Sequence, residues 1–192
     1  LKVSAGGADG SGNGITFEGG NIGGNYALLG HGGRQNEANW GTPNTGSAPS
    51  GDIDVDIDVD ATGGGISFQG GTSGTTYAKL GHGGDHWEGD LAGDIAVDSA
   101  GRVQFAAGDS ADNAQWANHS TLGHGGLRAR GTHDGDIDVN ATGNVEVLGG
   151  GNRAAYAMIG HGGLDADPNS GGNMPTGAIS IDSDGSLIMT GG

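Results

Sequence analysis

The sequence predicts an all-β fold, a parallel β-solenoid or β-helix built from tandem units of about 42 residues, and three observations predict it. Gly-His-Gly-Gly occurs four times, at 30–33, 81–84, 123–126 and 160–163, each time directly after Leu29, Leu80, Leu122 or Ile159. A second phrase, Gly-Asp-Ile or Gly-Ala-Ile, opens at Gly51, Gly93, Gly135 and Gly177, and 93−51, 135−93 and 177−135 are all 42. Apolar residues alternate with polar ones at matching places after each of these glycines, the period-two pattern of a half-buried strand. Internal repeats decide the architecture before any local propensity does, and the chain reads as one array over 1–192. Its units are 1–50, 51–92, 93–134 and 135–176, with a partial unit at 177–192.

The elements follow in order. Leu1-Lys2-Val3-Ser4-Ala5 carries the same alternation as Ile137-Asp138-Val139-Asn140-Ala141, so unit one opens inside a strand and the sequence reads as a mature chain or a piece of a longer one. Ile15-Thr16-Phe17 supplies a second strand, and residues 34–50, with Asn, Trp and Pro, have the composition of a protruding loop. Unit two holds the most regular strand, Asp52 to Asp60, where Asp alternates with Ile or Val throughout. Ile95, Val97, Val103 and Phe105 repeat the pattern, then Ile137, Val139, Val145 and Val147, then Ile179, Ile181, Leu187 and Met189. Before each Gly-His-Gly-Gly the position occupied by Leu28, Lys79, Thr121 and Met158 varies freely. Such variation predicts that it faces solvent while the residues on either side, and the histidine, point inward. A unit is expected to form two coils of about twenty residues, since three strands of about 5 to 6 residues plus corners use that many.

Composition removes several classes of function. With 23 Asp and Glu against 7 Lys and Arg, a net charge of −16, the chain lacks the basic stripe that nucleic acid requires. No apolar run reaches the length of a membrane span. Glycine makes up 46 of the 192 residues without a Gly-X-Y period, which excludes collagen, and there is no cysteine to staple or to ligate. Stability has to come from the stacking of like residues.

Tyr-Ala-x-Leu-Gly-His-Gly-Gly alternating with Gly-Asp-Ile-x-Val-x-Ala-x-Gly resembles the repeats of filamentous-haemagglutinin-like bacterial surface proteins, through Gly30–Gly33, Gly81–Gly84, Gly123–Gly126 and Gly160–Gly163. The resemblance implies a right-handed β-helix, export through a two-partner or type V route, and a place at the bacterial cell surface as fibre or adhesin. The family's amino-terminal secretion domain has no counterpart in these residues.

Four groups of residues are candidates for chemistry. His31, His82, His124 and His161 form a column if the units stack in register; imidazole is a common metal ligand, but a tetrahedral site needs three or four converging donors, and one ring per unit suits a structural role at the glycine corners. Asp52, Asp54, Asp56, Asp58 and Asp60 on one strand, with Asp98 and Asp182, are candidate calcium ligands; the competing reading is a solvated face. Two carboxylates about 4.8 Å apart repel by only about 0.9 kcal/mol in bulk water, so no metal is required to hold them. Trp40, Trp87 and Trp116, in or near the variable loops, are candidates for binding a partner or a glycan. Asn118 and Asn140 begin glycosylation triplets. The basic residues are scattered, and each repeated polar residue recurs in every unit, so no enzyme is expected. The function expected is that of a structural extracellular protein needing no cofactor, whose partner is itself, stacked head to tail into a fibre. The alternative is a stalk segment of a larger adhesin chain that binds glycans or receptors through its loops.

Overall fold

The computed structural model describes residues 1–33, 51–109, 118–152, 154–164 and 175–192. Among them there is no helix, and every strand pairing is parallel. A first sheet joins β1 (Lys2–Ala5), β5 (Ile57–Ala61), β9 (Ile95–Ser99), β12 (Ile137–Ala141) and β15 (Ile179–Ser183) in that order. A second joins β2 (Asn13–Glu18), β6 (Gly65–Gln69), β10 (Val103–Ala106), β13 (Val145–Leu148) and β16 (Leu187–Thr190). A third joins β3 (Tyr26–Leu29), β7 (Tyr77–Leu80), β11 (Ser120–Leu122) and β14 (Ala157–Ile159). A small fourth pair is β4 (Ile53–Asp54) with β8 (Leu91–Ala92). Successive units thus lie side by side in three parallel sheets, an arrangement consistent with a β-solenoid.

Register explains why the repeat is so strict. Ile57, Ile95, Ile137 and Ile179 are partners across the first sheet, and Val59, Val97, Val139 and Ile181 are partners two residues on. Phe17, Phe68 and Phe105 stack across the second sheet with centroids 4.8 and 5.1 Å apart and nearly parallel planes. Leu29, Leu80, Leu122 and Ile159 fill the third. These columns face one another to form the core, in which Val59, Ile66, Phe68, Leu80, Val97, Phe105 and Val139 are fully buried. A one-residue slip in any strand would turn its apolar side outward, so the pattern itself pins the register.

Three expectations are corrected. Among the described residues each of units one to four makes one coil, not two, because it contributes a single strand to each of the three sheets, and in units two and three the remaining residues return across the outer side of the third sheet rather than forming three more strands. The run from Asp52 to Asp60 is two strands: β4 and β5 are separated at Val55-Asp56, where the chain turns the corner that Gly93, Gly135 and Gly177 turn at φ 122°, 127° and 128°. Gly51 is therefore the counterpart of Gly89 and Gly131, and Val55 the counterpart of Gly93. The variable position is not uniformly solvated: Lys79 and Thr121 are each 1% exposed. They do point away from the core, but the returning segment covers them. Tyr156, on that outer side, accepts a hydrogen bond from the Leu164 backbone N–H, and the same segments bring in Leu91, Leu127 and His133, all buried.

The turns before β3, β7 and β14 are left-handed. Gly24 makes it at φ 87°, while Thr75 and Ala154 make it at φ 61°. L residues are strained in this region and glycine is not. Ala154→Gly should therefore raise stability by about 0.5–1 kcal/mol, the relief of strain less the added freedom of glycine in the unfolded chain. Thermal unfolding of the two proteins measures it; an unchanged or lower midpoint would contradict the strain.

Candidate functional site

The histidines of Gly-His-Gly-Gly form a continuous ladder. Rings of His31, His82, His124 and His161 stack with centroids 5.2, 5.0 and 5.0 Å apart. The backbone N–H of His31 donates to Nδ1 of His82 at 3.0 Å, that of His82 to Nδ1 of His124 at 3.0 Å, and that of His124 to Nδ1 of His161 at 3.1 Å. On the other side of each ring, Nε2 donates to the carbonyl of Val55 (2.6 Å from His82), Gly93 (2.8 Å from His124) or Gly135 (2.9 Å from His161). The imidazoles of His82, His124 and His161 thereby each tie the end of their own coil to its start while bonding to the neighbour. The carbonyl reached is that of the opposite corner rather than of the Gly-Gly corner the sequence suggested. In His82, His124 and His161 both nitrogens are used and the rings must be neutral Nε2–H tautomers, since a proton on Nδ1 would oppose the incoming N–H. Burial lowers the pKa of His82 and His161 and pushes His124 down to about 3. His82 and His124 are fully buried, His161 half-buried, and His31 exposed.

Sequence reasoning missed a second ladder, made of the aspartates at the corners. Oδ1 of Asp56 accepts the Asp94 N–H at 2.9 Å, Oδ1 of Asp94 accepts the Asp136 N–H at 2.8 Å, and Oδ1 of Asp136 accepts the Ala178 N–H at 2.7 Å. Asp52 does the same for Asp90, and Asp90 for Thr132. The signal was present as the Asp that follows Gly51, Gly89, Gly93 and Gly135. A carboxylate held against an amide of the next coil is a charge-assisted bond and a rung-to-rung tie. Asp94→Ala should destabilise the stack by about 1–2 kcal/mol by leaving the Asp136 N–H without its acceptor, whereas Asp94→Asn, which keeps an acceptor oxygen, should recover most of this. Denaturant midpoints for the pair check it, and equal losses would show that the bond is not the cause.

The calcium candidates do not converge. Asp52 and Asp56 are engaged with backbone amides, Asp58 pairs with Lys2 at 2.8 Å, and Asp54 lies on the separate short strand β4. Among the described residues no three His, Asp or Glu side chains gather in a way that could hold a metal ion. Asp60, Asp98 and Asp182 do form the outward column expected, with Asn140 between them donating to Asp98 at 3.1 Å. They line an open groove at the corner between the first and second sheets together with Thr62, Thr142 and Asp184. This is a strongly acidic furrow along the axis of the stack.

A buried lysine lies behind the third sheet. Burial pushes Lys79 down to about 7, opposed by the nearby Asp85 carboxylate, and its ammonium donates to the carbonyl of Gly123. On the same outer face Tyr26, Tyr77, His119 and Tyr156 form a second aromatic column, with centroids 4.8, 4.7 and 5.1 Å apart.

The remaining candidates separate on burial. Trp87 is half-buried and its indole N–H is enclosed; Trp40 and Trp116 lie outside the described residues. Asn118 is 1% exposed and its side-chain oxygen faces Thr76, which closes it to a glycosylating enzyme, whereas Asn140 stands on the exposed side of β12. Set against known proteins, the chain matches no family model, no curated protein and no solved structure.

Proposed function

We propose that the chain is a structural rod element of an extracellular bacterial fibre, a right-handed β-solenoid of the filamentous-haemagglutinin-like kind. The observation that carries the reading is that like residues stand in register from the first unit to the last and are left open at the ends of the stack. Ile179, Leu187 and Met189 are 51%, 51% and 67% exposed at one end, and Leu1 and Tyr26 are 43% and 42% exposed at the other. A parallel stack with unpaired strand edges and uncovered apolar columns takes on another rung readily. The roles of the polar residues fit a scaffold: histidines and aspartates bond coil to coil, and every such residue recurs unit after unit. Partners are then further rungs, from a second copy or from the same polypeptide, at the cell surface.

In the second case the chain acts as stalk in a longer adhesin. Electron microscopy of the purified chain over rising concentration separates the cases. Long uniform fibres support assembly by copies, and short rods of constant length support the stalk. Globular particles with no elongated axis would overturn the rod reading altogether, and calcium or chelator added to either sample tests whether the acidic furrow contributes.

A further inference from the structure

At the corner between the first and second sheets the outward column runs Asp60, Asp98, Asn140 and Asp182, so one rung carries an amide where the others carry a carboxylate. Asn140 opens the triplet Asn140-Ala141-Thr142, the acceptor pattern for an asparagine-linked sugar. The other rungs read Asp60-Ala61-Thr62, Asp98-Ser99-Ala100 and Asp182-Ser183-Asp184, and none of them joins an amide to a hydroxyl two places on. Side chains two apart share a face of a strand, and Asn140 and Thr142 are both exposed. Thr62 turns its hydroxyl to the Ala5 carbonyl at 3.4 Å; among the described residues the Thr142 hydroxyl has no such bond and stays available. The furrow in front of Asn140 is open and holds about 430 Å³, room for a pyranose ring. Nδ2 of Asn140 donates to Asp98 at 3.1 Å. An amide nitrogen carries two hydrogens and a linked sugar replaces one, so this bond is kept.

We propose that Asn140 is a glycosylation site whose sugar lies in the acidic furrow, with its hydroxyls facing the carboxylates of Asp98 and Asp182, the register partners on either side. The substrate is a glycosyl diphosphate donor, presented by a glycosyltransferase of the producing cell. Nδ2 of Asn140 attacks the anomeric carbon and a C–N bond forms. The C–O bond to the diphosphate breaks with its electron pair on the leaving oxygen, and the proton lost by nitrogen passes to a base of the transferase. Because β12 is bonded to β9 on one edge and β15 on the other, it cannot bend into a transferase once folded. The sugar is therefore added before this coil closes. A chain modified at the outward Asn140 can still fold, whereas one modified at Asn118, which is 1% exposed, could not close around the sugar. Relief of repulsion along the carboxylate column asks only for a neutral side chain at 140 and nothing of Thr142.

Mass spectrometry of the full chain, isolated from the cells that naturally produce it, tests the site. The intact chain should be heavier than its sequence by one or more sugars, and fragmentation should place them on Asn140 with Asn118 bare. Two variants made in the same cells separate acceptor chemistry from a structural role. Thr142→Ala should lose the added mass although Asn140 is untouched, and Thr142→Ser, which keeps the hydroxyl, should retain it. Asn140→Asp installs the residue of the other rungs, so it should fold and run at its sequence mass. A wild-type chain at its sequence mass, a sugar found elsewhere with Asn140 bare, or a sugar that stays on Asn140 in Thr142→Ala would each overturn the assignment. The first of these measurements needs no variant to fold, and none of them depends on whether the rod assembles end to end.

Discussion

Lowering the pH from about 7 to about 4 should unfold the stack in one cooperative step, with His124 and His133 alone removing about 3 kcal/mol each over that range. The sign follows from the direction of the shifts. His124 is held at about 3 and His133 at about 4, against 6.5 for a free imidazole, so below about 6.5 the unfolded chain takes up protons that the folded chain refuses. The histidine contribution is complete above that value and falls by about 1.4 kcal/mol per pH unit for each such histidine as the pH drops. His82 and His161, lowered by the same burial, add to the slope. Lys79 extends the trend upward: with its folded pKa at about 7 against 10.5 in the unfolded chain, stability should keep rising as the pH climbs from 7 toward 10.5. Lys79→Met should flatten the alkaline part of the curve and leave the acid part intact. Circular dichroism melts across the pH range check both halves, and a stability maximum in mild acid would contradict the neutral ladder.

Gly123→Ala should cost at least about 3–5 kcal/mol and abolish folding at moderate temperature. The first glycine of Gly-His-Gly-Gly combines two demands that no other residue meets. Its φ is 136°, a region nearly closed to L residues, and an added Cβ would lie 2.0 Å from the carbonyl oxygen of Gly160 in the next coil. Gly81 and Gly30 stand in the same relation to the coils that follow them, each with 2.1 Å to the neighbour's carbonyl. Backbone cannot yield there without separating the coils. The comparison is Gly151→Ala, where the nearest atom beyond its chain neighbours is an Asp109 oxygen at 3.7 Å and φ is not in the left-handed region; it should change stability by less than about 0.5 kcal/mol. Denaturant unfolding of the two variants separates a steric ladder from a general preference for glycine.

The strands and their partners were legible because the fold is written in repeats: an Ile or Val at 57, 95, 137 and 179 can stack only if coils lie in register, and the period of two assigns the faces. The histidine column was legible for the same reason. The length of a coil was not, because local patterning cannot tell a strand that adds a further round from a segment that doubles back over the third sheet. That segment also explains Lys79. Variation at its position is a sound sign of an outward direction, but outward is not solvated when another part of the chain lies on top. The break at Val55-Asp56 was hidden by the unbroken Asp-Ile-Asp-Val alternation; only the pairing of Ile57 with Ile95 reveals that the chain has already turned a corner. The aspartate ladder was read as surface charge because a carboxylate bonded to an amide of the next coil and one facing water look alike in a sequence.

One coil per unit also sets how the rod would yield under load. Backbone bonds between coils run along the axis, so tension on the ends pulls them open one coil after another instead of shearing all of them together. Each release would free about 42 residues, roughly 140 Å of extended chain against a few ångströms of folded length. Such a rod would behave as a ratcheting shock absorber, lengthening in discrete steps while the coils still closed remain intact.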